Sequence, residues 1–326
     1  MSGFSERDAI KFVLKFLDLE GFLPRGDDVA DLPIDGRILG LKIDGFSAHN
    51  SKLPWNSWSD FGWKAVTAVI SDFIAKGGEA LAIVVSLGLP LVPESEQIFK
   101  ETIEGIKEAT KTYRVAFLGG DTNSSQRDIW IDVAGLCSFE KKPIPRNGAK
   151  PGDSVIIIGE YGLTGAAFHA FYNNHINVIT KFKKILRATS RPLARLQLLE
   201  IFVKHRDYIS SSMDVSDGLA FTLKEIAEAS NVAIRLDKLP LANEAIEYAK
   251  LVGVKPIDLA FYGGEEFEVV FTVSKDHVQE IIRELSVKSI PYTLAGEVIE
   301  GDGEVYYRGI PVEKRGWNHF RALKLL

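Results

Sequence analysis

The feature that most constrains this chain is a polar seam at Lys141–Asp153, where Lys-Lys-Pro, Pro-Arg-Asn-Gly and Lys-Pro-Gly-Asp follow one another with almost no apolar residue. On either side of it, apolar runs of strand length alternate with stretches of helical period. Each half must therefore build its own mixed layers of sheet and helix. A length of 326 residues suits two domains of ordinary size, taken here as 1–140 and 141–326.

Before the seam, Arg37–Ile43, Ala80–Leu87, Val115–Leu118 and Ile129–Leu136 have the length and composition of strands. Between them, Asp60–Lys76 repeats Val66, Val69, Ile70, Phe73 and Ile74 at helical spacing and stops at Gly77-Gly78, and Glu94–Thr112 is a more polar helix. After the seam, strands are expected at Ser154–Ile158, Val232–Leu236, Glu268–Val273 and Tyr292–Val298. Helices are expected at Thr164–Tyr172, Arg191–His205, Gly218–Ser230, Ala242–Leu251 and Lys275–Glu284.

Composition narrows the function classes. The 39 Lys and Arg against 44 Asp and Glu leave a net charge of −5, so there is no general cationic field for a nucleic-acid backbone. The most apolar stretch, Ala80–Val92, is broken by Ser86, Gly88 and Pro90 and falls short of the ~20 residues that span a bilayer. The N-terminal segment alternates Glu6, Asp8 and Lys11 with Ile10, Phe12, Val13, Phe16 and Leu17, which reads as a helix of the mature protein and not a signal peptide. Cys137 is the sole cysteine, which fits a reducing compartment, and a cytoplasmic location is expected.

Carboxylates recur where apolar runs end. Asp44 follows Leu-Gly-Leu-Lys-Ile, Asp121 follows Ala-Phe-Leu-Gly-Gly, Asp214 and Asp217 follow a serine run, and Asp27 and Asp28 follow Arg25-Gly26. Rigid backbone can aim such an acid while leaving it in reach of solvent, as a hard-cation site requires. Mg²⁺ usually takes only one or two carboxylates with waters and substrate phosphates, so acids in this number suggest several ions bridging a polyphosphate. Taken singly, each also reads as a turn residue, since Gly-Asp-Asp and Gly-Gly-Asp-Thr favour turns. Asp214 and Ser216 equally suit a helix cap. Asp72, on the small-residue edge of a helix face, needs a partner, either a metal cation or a basic side chain from the other domain.

Several other chemistries lack their signatures. The turn Gly159-Glu-Tyr-Gly162-Leu-Thr-Gly165 is neither a P-loop nor a dinucleotide fingerprint. The six histidines form no H-x-x-x-H pair and Cys137 has no partner, so zinc has no support. Ser211, Ser212 and Ser216 sit in no Gly-x-Ser-x-Gly elbow, which argues against a serine hydrolase.

Taken in order, Gly26-Asp27-Asp28-Val29-Ala30, Ile70-Ser71-Asp72 ahead of Lys76-Gly77-Gly78, Leu118-Gly119-Gly120-Asp121-Thr122, Arg146–Asp153, Met213-Asp214-Val215-Ser216-Asp217-Gly218-Leu219 and Gly263-Gly264-Glu265-Glu266-Phe267-Glu268 resemble the signature of the thiamine-monophosphate kinase family. The likeness runs to the Gly316-Trp317-Asn318-His319-Phe320 tail, nearly the whole chain. It implies an α/β (α+β), two-domain fold like that of aminoimidazole ribonucleotide synthetase. The N-terminal domain would pair across a homodimer into a β-barrel beside an ATP cleft, with a C-terminal α/β domain following. The implied reaction moves the γ-phosphoryl of ATP onto thiamine monophosphate, giving thiamine diphosphate and ADP.

By position, the resemblance implies that Asp28, Asp44, Asp72, Asp121, Asp214 and Asp217 hold Mg²⁺, that Gly120, Asp121, Arg146 and Ser216 hold ATP, and that Glu265 and Trp317 face thiamine. Asp72, Asp121, Arg146 and Asp217 would carry catalysis. A phosphate-monoester nucleophile, with a second pKa near ~6, needs no side-chain base. Departures stand beside the match. Lys42 and Ile43 replace hydroxyl residues usual before Asp44, the usual substrate histidine falls at Ser51 with His49 two positions early, and Glu-Glu-Phe replaces Glu-Asp-Tyr. Two alternatives stay open: another ATP-dependent enzyme of the superfamily with a different acceptor, and a nucleotide-binding homologue without turnover.

Overall fold

The computed structural model describes residues 6–17 and 21–316. Its first sheet holds β1 (Ala30–Ile34), β2 (Arg37–Ser47), β3 (Glu79–Pro90), β4 (Ala116–Ser125) and β5 (Trp130–Phe139), in the spatial order β1-β2-β5-β3-β4. All neighbours are antiparallel except β3 and β4. The second sheet holds β6 (Ser154–Ile158), β7 (Ile209–Asp214), β8 (Ala233–Leu236), β9 (Val269–Val273), β10 (Tyr292–Ile299), β11 (Val305–Tyr307) and β12 (Ile310–Pro311), ordered β12-β11-β8-β10-β6-β9-β7. No helix of the described residues is long and apolar enough to cross a membrane.

The helix Trp58–Lys76 joins the two sheets. Its start is fixed by a capping box, in which the Ser57 hydroxyl accepts from the Asp60 N–H at 3.1 Å and the Asp60 carboxylate accepts from the Ser57 N–H at 2.9 Å. Gly77, at φ +78°, ends it in the left-handed conformation that glycine adopts without penalty. Every residue from Phe61 to Lys76 is buried, so the helix has no solvent face. It packs against β2, β3 and β5 on one side and β7 and β9 on the other, and one apolar cluster runs through both sheets. Beside it, the helix Ser95–Tyr113 comes so close that a Cβ on Gly105 would lie 1.8 Å from the Ser59 carbonyl oxygen.

Alternation along β5 buries Ile131, Val133, Cys137 and Phe139 against that core. The opposite face of the sheet keeps Leu41, Ile43 and Val84 exposed, with Ile43 and Val84 flanking Ala134 in one cross-strand row. β4 is an edge strand, exposed along almost its whole length.

Two expectations are corrected and one element is added. The Gly119-Gly120-Asp121 segment is not a turn: it lies within β4, and a Cβ on Gly120 would fall 1.7 Å from the Val85 carbonyl oxygen, so close pairing with β3 demands glycine there. The single helix at Arg191–His205 shrinks to Leu198–Lys204, because Pro192 has no N–H to give and the preceding helix, Lys183–Ser190, has already ended. The serine run before Asp214, given no element above, is a strand, β7, in which Ser210 and Ser211 both reach the Thr272 hydroxyl of β9, at 2.6 and 2.7 Å, while the buried Ser212 hydroxyl has no hydrogen-bond partner among the described residues.

Candidate active site

Four segments distant in sequence bring acids together at one end of the central helix. Asp28 comes from the turn before β1, Asp44 from β2, Asp72 from the helix Trp58–Lys76, and Asp214 from the last residue of β7. One oxygen each of Asp28, Asp72 and Asp214 lies within 4.8 Å of the others, and all three side chains are buried. Asp44 joins through Lys42, whose Nζ stands 2.8 Å from Asp72 Oδ2 and 3.2 Å from Asp44 Oδ1. Strand alternation explains this, since residues 42 and 44 share the face turned toward the helix.

The acids differ in electrostatic state. Burial opposes the charge on Asp28, yet the Lys76 ammonium and the Arg146 guanidinium outweigh it and hold this carboxyl down at about 2. Asp214 is held by a hydroxyl instead of a basic side chain. Burial and the charge of Asp28 push it up to about 7 against the pull of the Ser71 hydroxyl, which donates to its Oδ2 at 2.5 Å. Burial also raises Asp72 well above the usual carboxylate range despite Lys42. Three crowded carboxylates, two of them unwilling to ionise alone, form the oxygen-only donor set that a hard divalent cation would relieve.

Lys76 was legible only as part of a motif; it proves to be wholly buried, with Nζ 2.7 Å from Asp27 and 2.9 Å from Asp28, and it donates to the Ser212 carbonyl. Arg146 completes the arrangement. It contacts Asp28, lies 3.3 Å from Asp27 and 3.2 Å from Glu225, and its backbone N–H donates to Asp27 at 3.0 Å. Its guanidinium thus holds the acids in place in this state.

The cluster opens into a cavity of ≈ 370 Å³, a size that suits a small ligand. Lys42, Asp44, Ser51, Asp72, Asp214, Ser216, Asp217 and Glu265 are its polar lining, and Phe46, Phe168, Tyr262 and Phe267 its aromatic walls. Those rings come from separate elements, and no local pattern announced them. Glu265 and Phe267 have φ of +62° and +52°, a strained backbone of the kind found at functional sites, costing about 1–3 kcal/mol each. The Glu265 N–H donates to the Ser216 carbonyl at 2.7 Å, and its carboxylate meets Lys64 at 2.7 Å. Lys64 also donates to the Ser51 carbonyl.

Of the remaining expected residues, Asp121 lies on exposed β4 with its Oδ2 accepting from the Asn123 amide at 2.8 Å, and it is not among the clustered acids. Gly120 is beside it. Ser51 lines the cavity, whereas His49 is exposed with its N–H donated to Asp128, so the chain presents serine and not histidine there. Trp317 lies outside the described residues.

Comparison with known proteins accords with this arrangement. The family model for AIR synthase related protein, N-terminal domain, matches residues 26–138, and that for the C-terminal domain matches residues 150–308. The thiamine-monophosphate kinase of Pyrobaculum calidifontis is 32% identical over 327 residues, 99% of each chain, and that of Pyrococcus horikoshii is 35% identical over 80% of this chain and 79% of its own. Among solved structures, tt0281 from Thermus thermophilus superposes with a TM-score of 0.85 at 34% identity, covering 94% of this chain and 98% of its own. AaThiL complexed with AMPPCP and TMP superposes at 0.83 and 30% identity, covering 97% of each chain. The two-domain α/β chain, with its acids gathered beside an aromatic cavity, belongs to the thiamine-monophosphate kinase family of AIR synthase related proteins.

Proposed function

We propose that this chain transfers the γ-phosphoryl group of ATP to thiamine monophosphate, giving thiamine diphosphate and ADP. The observation that carries the reading is the convergence of Asp28, Asp72 and Asp214, the last two of which line a cavity that also has aromatic walls. Asp28, Asp44, Asp72, Asp214 and Asp217 would hold Mg²⁺, which supplies charge neutralisation and in-line alignment of two phosphate groups. Phe46, Phe168 and Tyr262 offer flat faces for a cationic aromatic ligand, with Glu265 as an acid beside it. Arg146 and Ser216 are assigned to ATP, with Asp72, Arg146 and Asp217 nearest the transferred group. Because the acceptor phosphate is already ionised, the chain needs only to bind, align and exclude water.

The protein would be incubated with ATP, Mg²⁺ and thiamine monophosphate, and the products separated by chromatography. Equimolar thiamine diphosphate and ADP are expected. ADP formed only with a different acceptor, or ATP bound with no turnover, would overturn the reading in favour of a relative with another substrate or of a non-catalytic binder.

The division into 1–140, carrying Asp28, Asp44, Asp72 and Asp121 and the dimer contact, and 141–326, carrying Asp214 and Asp217, belongs to the same proposal, as do a cytoplasmic location, consistent with the buried free thiol of Cys137, and a homodimer. An edge strand as long and exposed as β4 invites pairing, and the apolar row at Ile43 and Val84 gives a second copy a face to bury. Closing the sheet into a barrel with a partner would also give Gly120 and Asp121, solitary in one chain, a place in a completed site. Sedimentation equilibrium should return twice the 36.1 kDa chain mass, and Ile43→Asp should halve it. A monomer at micromolar concentration would sink the dimer.

A further inference from the structure

The cluster contains its own cations, and they are unevenly placed. Asp27 and Asp28 are met by Lys76 and Arg146. Asp214 has a hydroxyl. Between Asp44 and Asp72, contributed by a strand and a helix, stands Lys42. Its Nζ touches both carboxylates at distances of 3.2 and 2.8 Å, the position of a bridging cation. Resting on the reading of this cluster as a metal and nucleotide site, we propose that the Lys42 ammonium is a fixed cation of the site, filling a position that would otherwise take a divalent ion.

Charge balance supports this. The carboxyl groups of Asp27, Asp28, Asp44, Asp72 and Asp214 outnumber the cations Lys42, Lys76 and Arg146 that face them, five to three, so the site holds more acids than fixed cations. Glu225 leaves that balance unchanged, because Lys314 meets it at 2.6 Å. Removing the ammonium while keeping a ligating oxygen opens room and charge for one ion more. An ammonium also differs from Mg²⁺ in kind: it brings one charge and no fixed octahedral geometry. It can therefore hold Asp44 and Asp72 together before any metal arrives, but it gives less polarisation to a phosphate.

The test counts ions. Mn²⁺ binding to the full chain is measured by equilibrium dialysis, with free Mn²⁺ read by electron paramagnetic resonance, in the presence of the non-hydrolysable analogue AMPPCP. Lys42→Thr is expected to bind one Mn²⁺ per chain more than the unaltered protein. Equal numbers in the two folded proteins would overturn the inference while leaving the metal site intact; no analogue-dependent Mn²⁺ binding by the unaltered protein would overturn the site reading as well.

A second measurement needs no variant. Acetylation of lysines, read by mass spectrometry, should leave Lys42 protected both without metal and with Mn²⁺ and AMPPCP bound, whereas exposed Lys100 is modified throughout. If metal loading raised Lys42 acetylation to the level of Lys100, divalent ions would be evicting the ammonium, and the inference would fall.

Discussion

Asp214→Asn is expected to lower phosphoryl transfer by at least about 10²–10³-fold, the usual cost of losing one preorganised electrostatic group, while moving the thermal midpoint of the metal-free chain by no more than a few degrees. The separation of the two effects follows from the acid's state. Buried at the end of β7 and pushed up to about 7, the Asp214 carboxyl is half protonated near neutrality in the absence of metal. Asparagine matches that neutral acid in shape, and its side-chain oxygen can still accept from Ser71. The backbone is held independently, since the Thr222 hydroxyl donates to the Asp214 carbonyl at 3.0 Å. What disappears is the anionic oxygen aimed at Asp28 and Asp72. Asp72→Asn is a poorer probe, because it also strips Lys42 of its closer partner. Steady-state kinetics and a melting curve on the same preparation decide the matter. A midpoint drop of ten degrees or more with proportionate loss of rate would make Asp214 a structural residue.

Much of this site could be read from the chain because its acids occupy positions that local rules mark: the ends of apolar runs, next to glycine. Asp44, between Ile43 and Gly45, is of that kind; Asp72 is marked instead by the small-residue edge of its helix and Asp214 by the helix start that follows it, and all three line the cavity. What local pattern could not supply was the company these acids keep. Lys76 looks like the last turn of an amphipathic helix, where a basic residue suits the dipole and normally faces water. Its burial is decided by Asp27, Asp28 and Ser212, the last 136 positions away. β7 is concealed for a similar reason. Ser210, Ser211 and Ser212 lack the β-branched residues that announce a strand, and they become one only because β9 pairs with them and Thr272 accepts or donates at the hydroxyls of the first two. Asp121 shows the opposite case, a strong local motif whose single-chain environment is an exposed strand edge.

Lys76→Met should be the most destabilising single change at this site, costing about 3–5 kcal/mol, the range for removing one partner from a buried ion pair. The methionine fills nearly the same volume, so the loss is electrostatic and not a cavity. Two carboxylates with almost no solvent contact, Asp27 at 0% and Asp28 at 4% side-chain exposure, would be left to Arg146 alone. The Ser212 carbonyl would lose its ammonium donor, and with it the tie between the helix Trp58–Lys76 and β7. Set against a total stability of about 5–15 kcal/mol for a typical domain, this leaves the fold marginal. Urea unfolding of the metal-free chain measures the loss. The double variant Lys76→Met with Asp27→Asn should recover part of it, because the second change removes one of the two stranded charges; a thermodynamic cycle over the four proteins isolates the pair. A loss below about 1 kcal/mol, typical of exposed pairs, would mean that water reaches these acids. The cluster would then be a solvated surface and not the dry, charge-balanced interior on which cation binding at this site depends.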